Sequence, residues 1–194
     1  GYKNDHVIAG SAISWMRDKG QALQAEGKPW SLFVSLVNPH DVMYFNTDLP
    51  GERVQDTGKL MMESSRAPNH PIYRKQWQGP LSGSLGQAVN EPGRPGAHAE
   101  FNRAWGYTLG NIPLEEARWR RFNDFYFNSL RTVDQQLKTI LDELDALGLS
   151  ENTVVVFTSD HGELGGAHGL RGKGPCAYQE EIHLPMFLMH PDIK

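Results

Sequence analysis

The chain has 194 residues, is 39% hydrophobic and 10% aromatic, and so carries enough apolar material for a core. A formal charge of −4 gives no ground for nucleic acid or an anionic membrane as partner. A single cysteine, Cys176, excludes an internal disulfide and any Cys-rich zinc site, and no apolar run is long enough to span a bilayer.

Asp5 to Glu26 reads as a helix, with Val7, Ile8, Ala12 and Trp15 near one face and Gly27 just past its end. The leading residues Gly1–His6 are polar and show no signal peptide, which leaves the compartment open. Lys28-Pro29 introduces a strand-like run, Trp30 to Val37, that exits at Asn38-Pro39-His40-Asp41 and so delivers a histidine at a strand end. From about Tyr44 to Asn111 periodicity fades and Gly and Pro accumulate among Trp77, Trp105 and Tyr107. A connection this long is expected to be an irregular insertion (44–111) that walls a substrate pocket, or a surface excursion. Pro113, Glu115 and Glu116 then open the longest helix, whose apolar stripe runs from Leu114 to Leu144 before Gly148 ends it.

The unbroken β-branched and aromatic run Thr153 to Thr158 reads as a strand buried on both faces of a parallel sheet. It stops at Ser159-Asp160-His161-Gly162, at the strand end where open α/β sheets bind ligands. A Gly-rich loop carries His168, Arg171 and Lys173 back past the same place. Oxygen and nitrogen donors followed by cations on a permissive backbone point to a metal-assisted site for an anionic substrate. A short helix over Ala177–Ile182 and a third strand over Pro185–Met189 complete a mainly parallel α/β unit.

Taken singly, each motif has a plainer reading. A strand-end Asp-His pair is more often structural than ligating, Lys173 reads equally as a solvated loop lysine, and His40 as a cap on its strand. Two ligands do not complete a site for a hard divalent cation. Walker A is excluded, because Gly174 follows Lys173 and Ala167 fills the earlier glycine position. Cys176 precedes Ala177 in a loop with no orienting triad, which argues against a thiol hydrolase.

As an ordered set, Asn38-Pro39-His40-Asp41, Thr158-Ser159-Asp160-His161-Gly162-Glu163 and His168-Gly169-Leu170-Arg171-Gly172-Lys173-Gly174 resemble the sulfatase family, within the alkaline-phosphatase-like superfamily. Lys28-Pro29-Trp30 and Glu180-Glu181-Ile182-His183-Leu184-Pro185 fit the same pattern. The resemblance implies an α/β fold, a partial alkaline-phosphatase-like catalytic domain over 1–194 with a mainly parallel sheet and flanking helices. It implies Asp160 and His161 as ligands of a divalent metal, calcium first, with manganese or magnesium as alternatives. Lys173 would contact the sulfate, and His40 would bind the ester oxygen or protonate the leaving group. His168 is grouped with these substrate-facing residues, with support of the loop as its chemical role. The histidine at 161 looks like the iduronate-sulfatase, choline-sulfatase and phosphonate monoester hydrolase branches.

The family's nucleophile is a formylglycine made in a Cys/Ser-x-Pro/Ala-x-Arg segment, after a strand ending in paired aspartates. Neither occurs in these residues, and Cys176 is followed by Ala177-Tyr178 with no Arg four residues on. The expectation is therefore a C-terminal portion of a sulfatase catalytic domain, inactive alone, whose parent cleaves small-molecule or carbohydrate sulfate esters. A phosphonate or phosphodiester hydrolase, and a non-catalytic binding relative, are the alternatives. No nucleic acid or membrane span is expected, and the apolar edges of a partial sheet favour a homo-oligomer or self-association.

Overall fold

The computed structural model describes residues 3–55 and 61–193. They fall into two compact units, one of Gly1–His40, Ser129–Thr158 and Pro185–Lys194, the other of Asp41–Asn128 and Ser159–Leu184. The long helix α4 (Glu116–Ala146) contributes residues to each. Among the described residues no helix is long and apolar enough to cross a membrane.

In the first unit, α1 (Asp5–Trp15), a π-helical stretch (Met16–Gly20) and α2 (Gln21–Ala25) run on from one another, as the sequence leads one to expect. Gly27 follows with φ 65°, the left-handed conformation that suits glycine after a helix. Met16, Leu144 and Leu149 form the buried core, with Trp15 edge-on to Trp30 at 5.3 Å. Asp5 is buried at the start of α1 and accepts from Val37 N (2.6 Å) and Asn38 N (3.0 Å). These bonds anchor the chain just before the 3-10 turn His40–Tyr44, where His40 itself is exposed.

The sheet departs from the expected parallel arrangement. β1 (Val155–Thr158) and β2 (Met186–Met189) pair antiparallel, Val155 opposite Met189 and Thr158 opposite Met186. Among the described residues this two-stranded ribbon is the whole sheet, and Trp30–Val37 carries no strand pairing. Side chains of that run still alternate, Leu32, Val34 and Leu36 half-buried against exposed Ser31, Phe33 and Ser35. An apolar run fixes extended backbone but not its direction, which here follows from the chain returning through 159–184 to the edge of β1. All four apolar side chains of β2 are exposed.

In the second unit Phe45 stacks on Phe125 at 4.4 Å and meets Phe122 edge-on, with Val42 and Trp119 closing the cluster. The stretch read as irregular contains a regular helix, α3 (Gly96–Leu109). Its only buried residues are His98 and Leu109, so it lacks the apolar stripe that signals a helix in sequence. Gly110 ends it at φ 75°, where a Cβ would lie 1.8 Å from Gln55 O; only glycine fits that approach.

Candidate active site

At the end of β1 the chain turns on Ser159, whose Oγ donates to His161 O (2.8 Å). Asp160 Oδ1 accepts from His161 N (3.0 Å), which turns the carboxylate back over the following residue. His161 Nδ1 lies 2.8 Å from Gly162 O, and a carbonyl oxygen only accepts. Nδ1 therefore carries a proton, so that in the neutral ring the lone pair is on Nε2. That nitrogen is 3.6 Å from Asp160 Oδ2, too far for a hydrogen bond and a separation two ligands of one cation can have. A ring nitrogen pinned to a backbone carbonyl is also how a metal-binding imidazole is held. Asp160 and His161 thus fit a divalent metal as two of its ligands. Among the described residues, no cluster of three or more His, Cys, Asp or Glu side chains could hold one outright.

Lys173 lines the same cleft, about 490 Å³ in volume, together with Asp160, His161, Cys176, Glu181 and Leu184. Its Nζ rests 3.0 Å from Met43 Sδ. Burial lowers its pKa, while Glu163, Asp160 and Asp41 pull the other way. The glycines around it are held by carboxylates: Glu163 Oε1 accepts from Gly172 N (2.6 Å) and Gly165 N (3.1 Å), and Glu181 Oε1 from Gly174 N (2.6 Å). Burial pushes both carboxyls up, against these amide bonds. Burial likewise pushes the Cys176 thiol up, leaving it a poor nucleophile.

His168 does not line the cleft. Its ring stacks on Tyr178 (3.7 Å, 13°), Nδ1 meets Gln87 Oε1 at 2.8 Å, and its backbone takes the left-handed φ of 57°. These contacts fit support of the loop. His40 belongs to the first unit, whereas Asp160, His161 and Lys173 share the second. Sequence reasoning passed over Met43, Glu163 and the side chain of Glu181. An acidic residue beside a run of glycines, whose amides need acceptors, was the available signal for Glu163.

Gly162 permits the closest approach in the site. A Cβ there would stand 1.9 Å from Glu180 O and 2.9 Å from its carbonyl carbon, both backbone atoms. Gly162→Ala is expected to cost about 1–3 kcal/mol or more, because main chain must shift. Urea denaturation of both proteins measures this; an unchanged midpoint would contradict the approach.

The sulfatase family model matches residues 1–194. The chain is similar to an ulvan-active sulfatase of Formosa agariphila, 40% identical over 82 residues, covering 42% of this chain and 16% of that protein. An arylsulfatase of Chlamydomonas reinhardtii is 25% identical over 186 residues, covering 92% and 27%. Iduronate 2-sulfatase of Mus musculus is 42% identical over 57 residues, covering 29% and 10%. The chain spans less than a third of the length of these relatives.

Proposed function

The chain belongs to the sulfatase family, and from that premise we propose that its protein hydrolyses sulfate esters at the cleft of Asp160, His161 and Lys173. The observation that supports this best is the fixed tautomer of His161, whose Nε2 lies 3.6 Å from Asp160 Oδ2 in the cleft that Lys173 lines. Asp160 and His161 would hold the divalent metal, calcium first. When bound, that cation supplies neutralisation of charge on the sulfuryl oxygens. Lys173 contributes a point charge to the same oxygens, on a loop whose flanking amides are already committed to carboxylates. His40 is assigned to the leaving alcohol, binding its oxygen or returning a proton to it. The nucleophile, a formylglycine, would come from a Cys/Ser-x-Pro/Ala-x-Arg segment that these residues do not contain. The 194 residues alone, read as one partial catalytic domain, are then expected to show no turnover.

The test is hydrolysis of p-nitrophenyl sulfate by the full-length protein, beside calcium titration by calorimetry of wild type and Asp160→Asn. Turnover is expected on the sulfate, with calcium affinity lost in the variant. Preference for an aryl phosphonate would move the reading to phosphonate hydrolysis. No turnover on either ester, or calcium bound equally by the variant, would overturn it.

A further inference from the structure

Glu181 has no part in the chemistry assigned above, yet both halves of the cleft end on it. It lies in the one-turn helix α5 (Gln179–Ile182), with its own N–H bonded to Tyr178 O at 2.9 Å. Its backbone carbonyl accepts from Gly162 N at 2.9 Å, and Gly162 is the residue after His161. Its side-chain Oε1 accepts from Gly174 N at 2.6 Å, and Gly174 is the residue after Lys173. One residue therefore fixes the backbone next to the Asp-His pair and the backbone next to the lysine.

The setting shows what that connection costs. Glu181 is only 5% exposed, and Oε2 is buried with no hydrogen-bond partner among the described residues. A buried acceptor left unmatched costs about 1–3 kcal/mol, so stability alone does not favour a carboxylate here. Lys173, flanked by Gly172 and Gly174, stands on a backbone with unusual conformational freedom. Two carboxylates remove that freedom, Glu163 through Gly172 N on one side and Glu181 through Gly174 N on the other. Glu163 makes its tie from within the segment that carries Asp160 and His161, whereas Glu181 holds Gly162 and Gly174 together from a separate element, α5.

We propose that Glu181 is a positioning residue that sets the place of Lys173 relative to Asp160 and His161, joining the two loops through its backbone carbonyl and its carboxylate. This rests on the reading of Lys173 as the group that meets the sulfate. A lysine misplaced by about 1 Å forfeits on the order of 100-fold in rate without changing what the cleft contains.

The experiment is a double-mutant cycle in the full-length protein, read as kcat and KM on p-nitrophenyl sulfate with thermal unfolding of each variant. Glu181→Ala is expected to lower kcat by about 10- to 100-fold with KM changed less. Glu181→Gln keeps an acceptor for Gly174 N and is expected to recover to within about threefold of wild type. In the Lys173→Met background, Glu181→Ala is expected to add almost nothing, because the group it positions is gone. Full additivity in that background overturns the proposal, as does a folded Glu181→Gln as impaired as Glu181→Ala. Should Glu181→Ala not fold, Glu181→Asp, one methylene short of Gly174 N, takes its place in the cycle. Absence of wild-type turnover, or a Lys173→Met protein as active as wild type, fails the reading of the lysine itself and the proposal with it.

Discussion

Lys173→Met in the full-length protein is expected to lower kcat/KM for p-nitrophenyl sulfate by about 100- to 1,000-fold, the loss seen when one preorganised group facing developing charge is removed. The substitution keeps the length that packs against Met43 and removes only the charge. The thermal midpoint should therefore move little. A pH dependence comes with it. Burial holds the Lys173 pKa below its ordinary 10.5, and only the protonated form serves an anionic group. The alkaline limb of activity should then begin below that value, earlier than an exposed lysine would give. Stability runs the opposite way: between the folded value and 10.5 the unfolded chain binds more protons, so this group's contribution to stability rises with pH. Equal kcat/KM in wild type and variant across the profile would remove Lys173 from the reaction.

The second large effect is on folding. Arg118 and Asp48 form a fully buried pair, with side chains 4% and 0% exposed and Nη1 2.5 Å from Oδ1. Asp48 also accepts from Val54 N (3.0 Å) and Gln55 N (3.1 Å), so the pair pins the chain at 48–55 to α4. Glu52 at 3.2 Å and Glu115 at 2.8 Å are more exposed partners of the same guanidinium and contribute less. Arg118→Met removes the buried guanidinium that faces the Asp48 carboxylate, an expected loss of about 3–5 kcal/mol. Asp48→Asn in the same chain should return part of it, because the buried charge is gone while an acceptor for the two amides remains. Chemical denaturation of the single and double variants measures both quantities. A loss below about 1 kcal/mol in Arg118→Met would show that the pair is screened as a surface pair is.

The extent of the helices was legible where a terminal glycine marks it, since Gly27 and Gly148 both take positive φ at those ends, but the buried face of the first was not: Val7 is exposed, while Ala9, Ala12 and Met16 are buried. Both observed strands were legible too, since Val155–Thr158 and Met186–Met189 lie inside apolar runs. Their antiparallel pairing was not, because an apolar run reads the same in either direction, nor was their exposure: β1 is not buried on both faces, since Val156 is exposed, as is every side chain of β2. Nor was α3, whose buried residues are a histidine near one end and a leucine at the other. In the site, local order along the chain placed Asp160, His161 and Lys173 together, and the cleft contains all three. Glu163 and Glu181 escaped notice because their partners are main-chain amides nine and seven residues away, and an amide leaves no trace in the sequence.

Much of this cleft is joined through main-chain atoms. Gly162 N meets Glu181 O, and Gly174 N and Gly172 N meet carboxylates. Cys176, Ile182 and Leu184 line the same space without taking part in those bonds. Cys176, Ile182 and Leu184 are thus a part of the wall that stands apart from the frame, whereas Gly174 and Glu181 belong to both. Substitutions along that wall can alter its size and polarity while the spacing of Asp160, His161 and Lys173 is conserved by backbone. Such an arrangement leaves those three wall positions open to substitution, one side chain at a time, with the charged groups held in place by main-chain bonds.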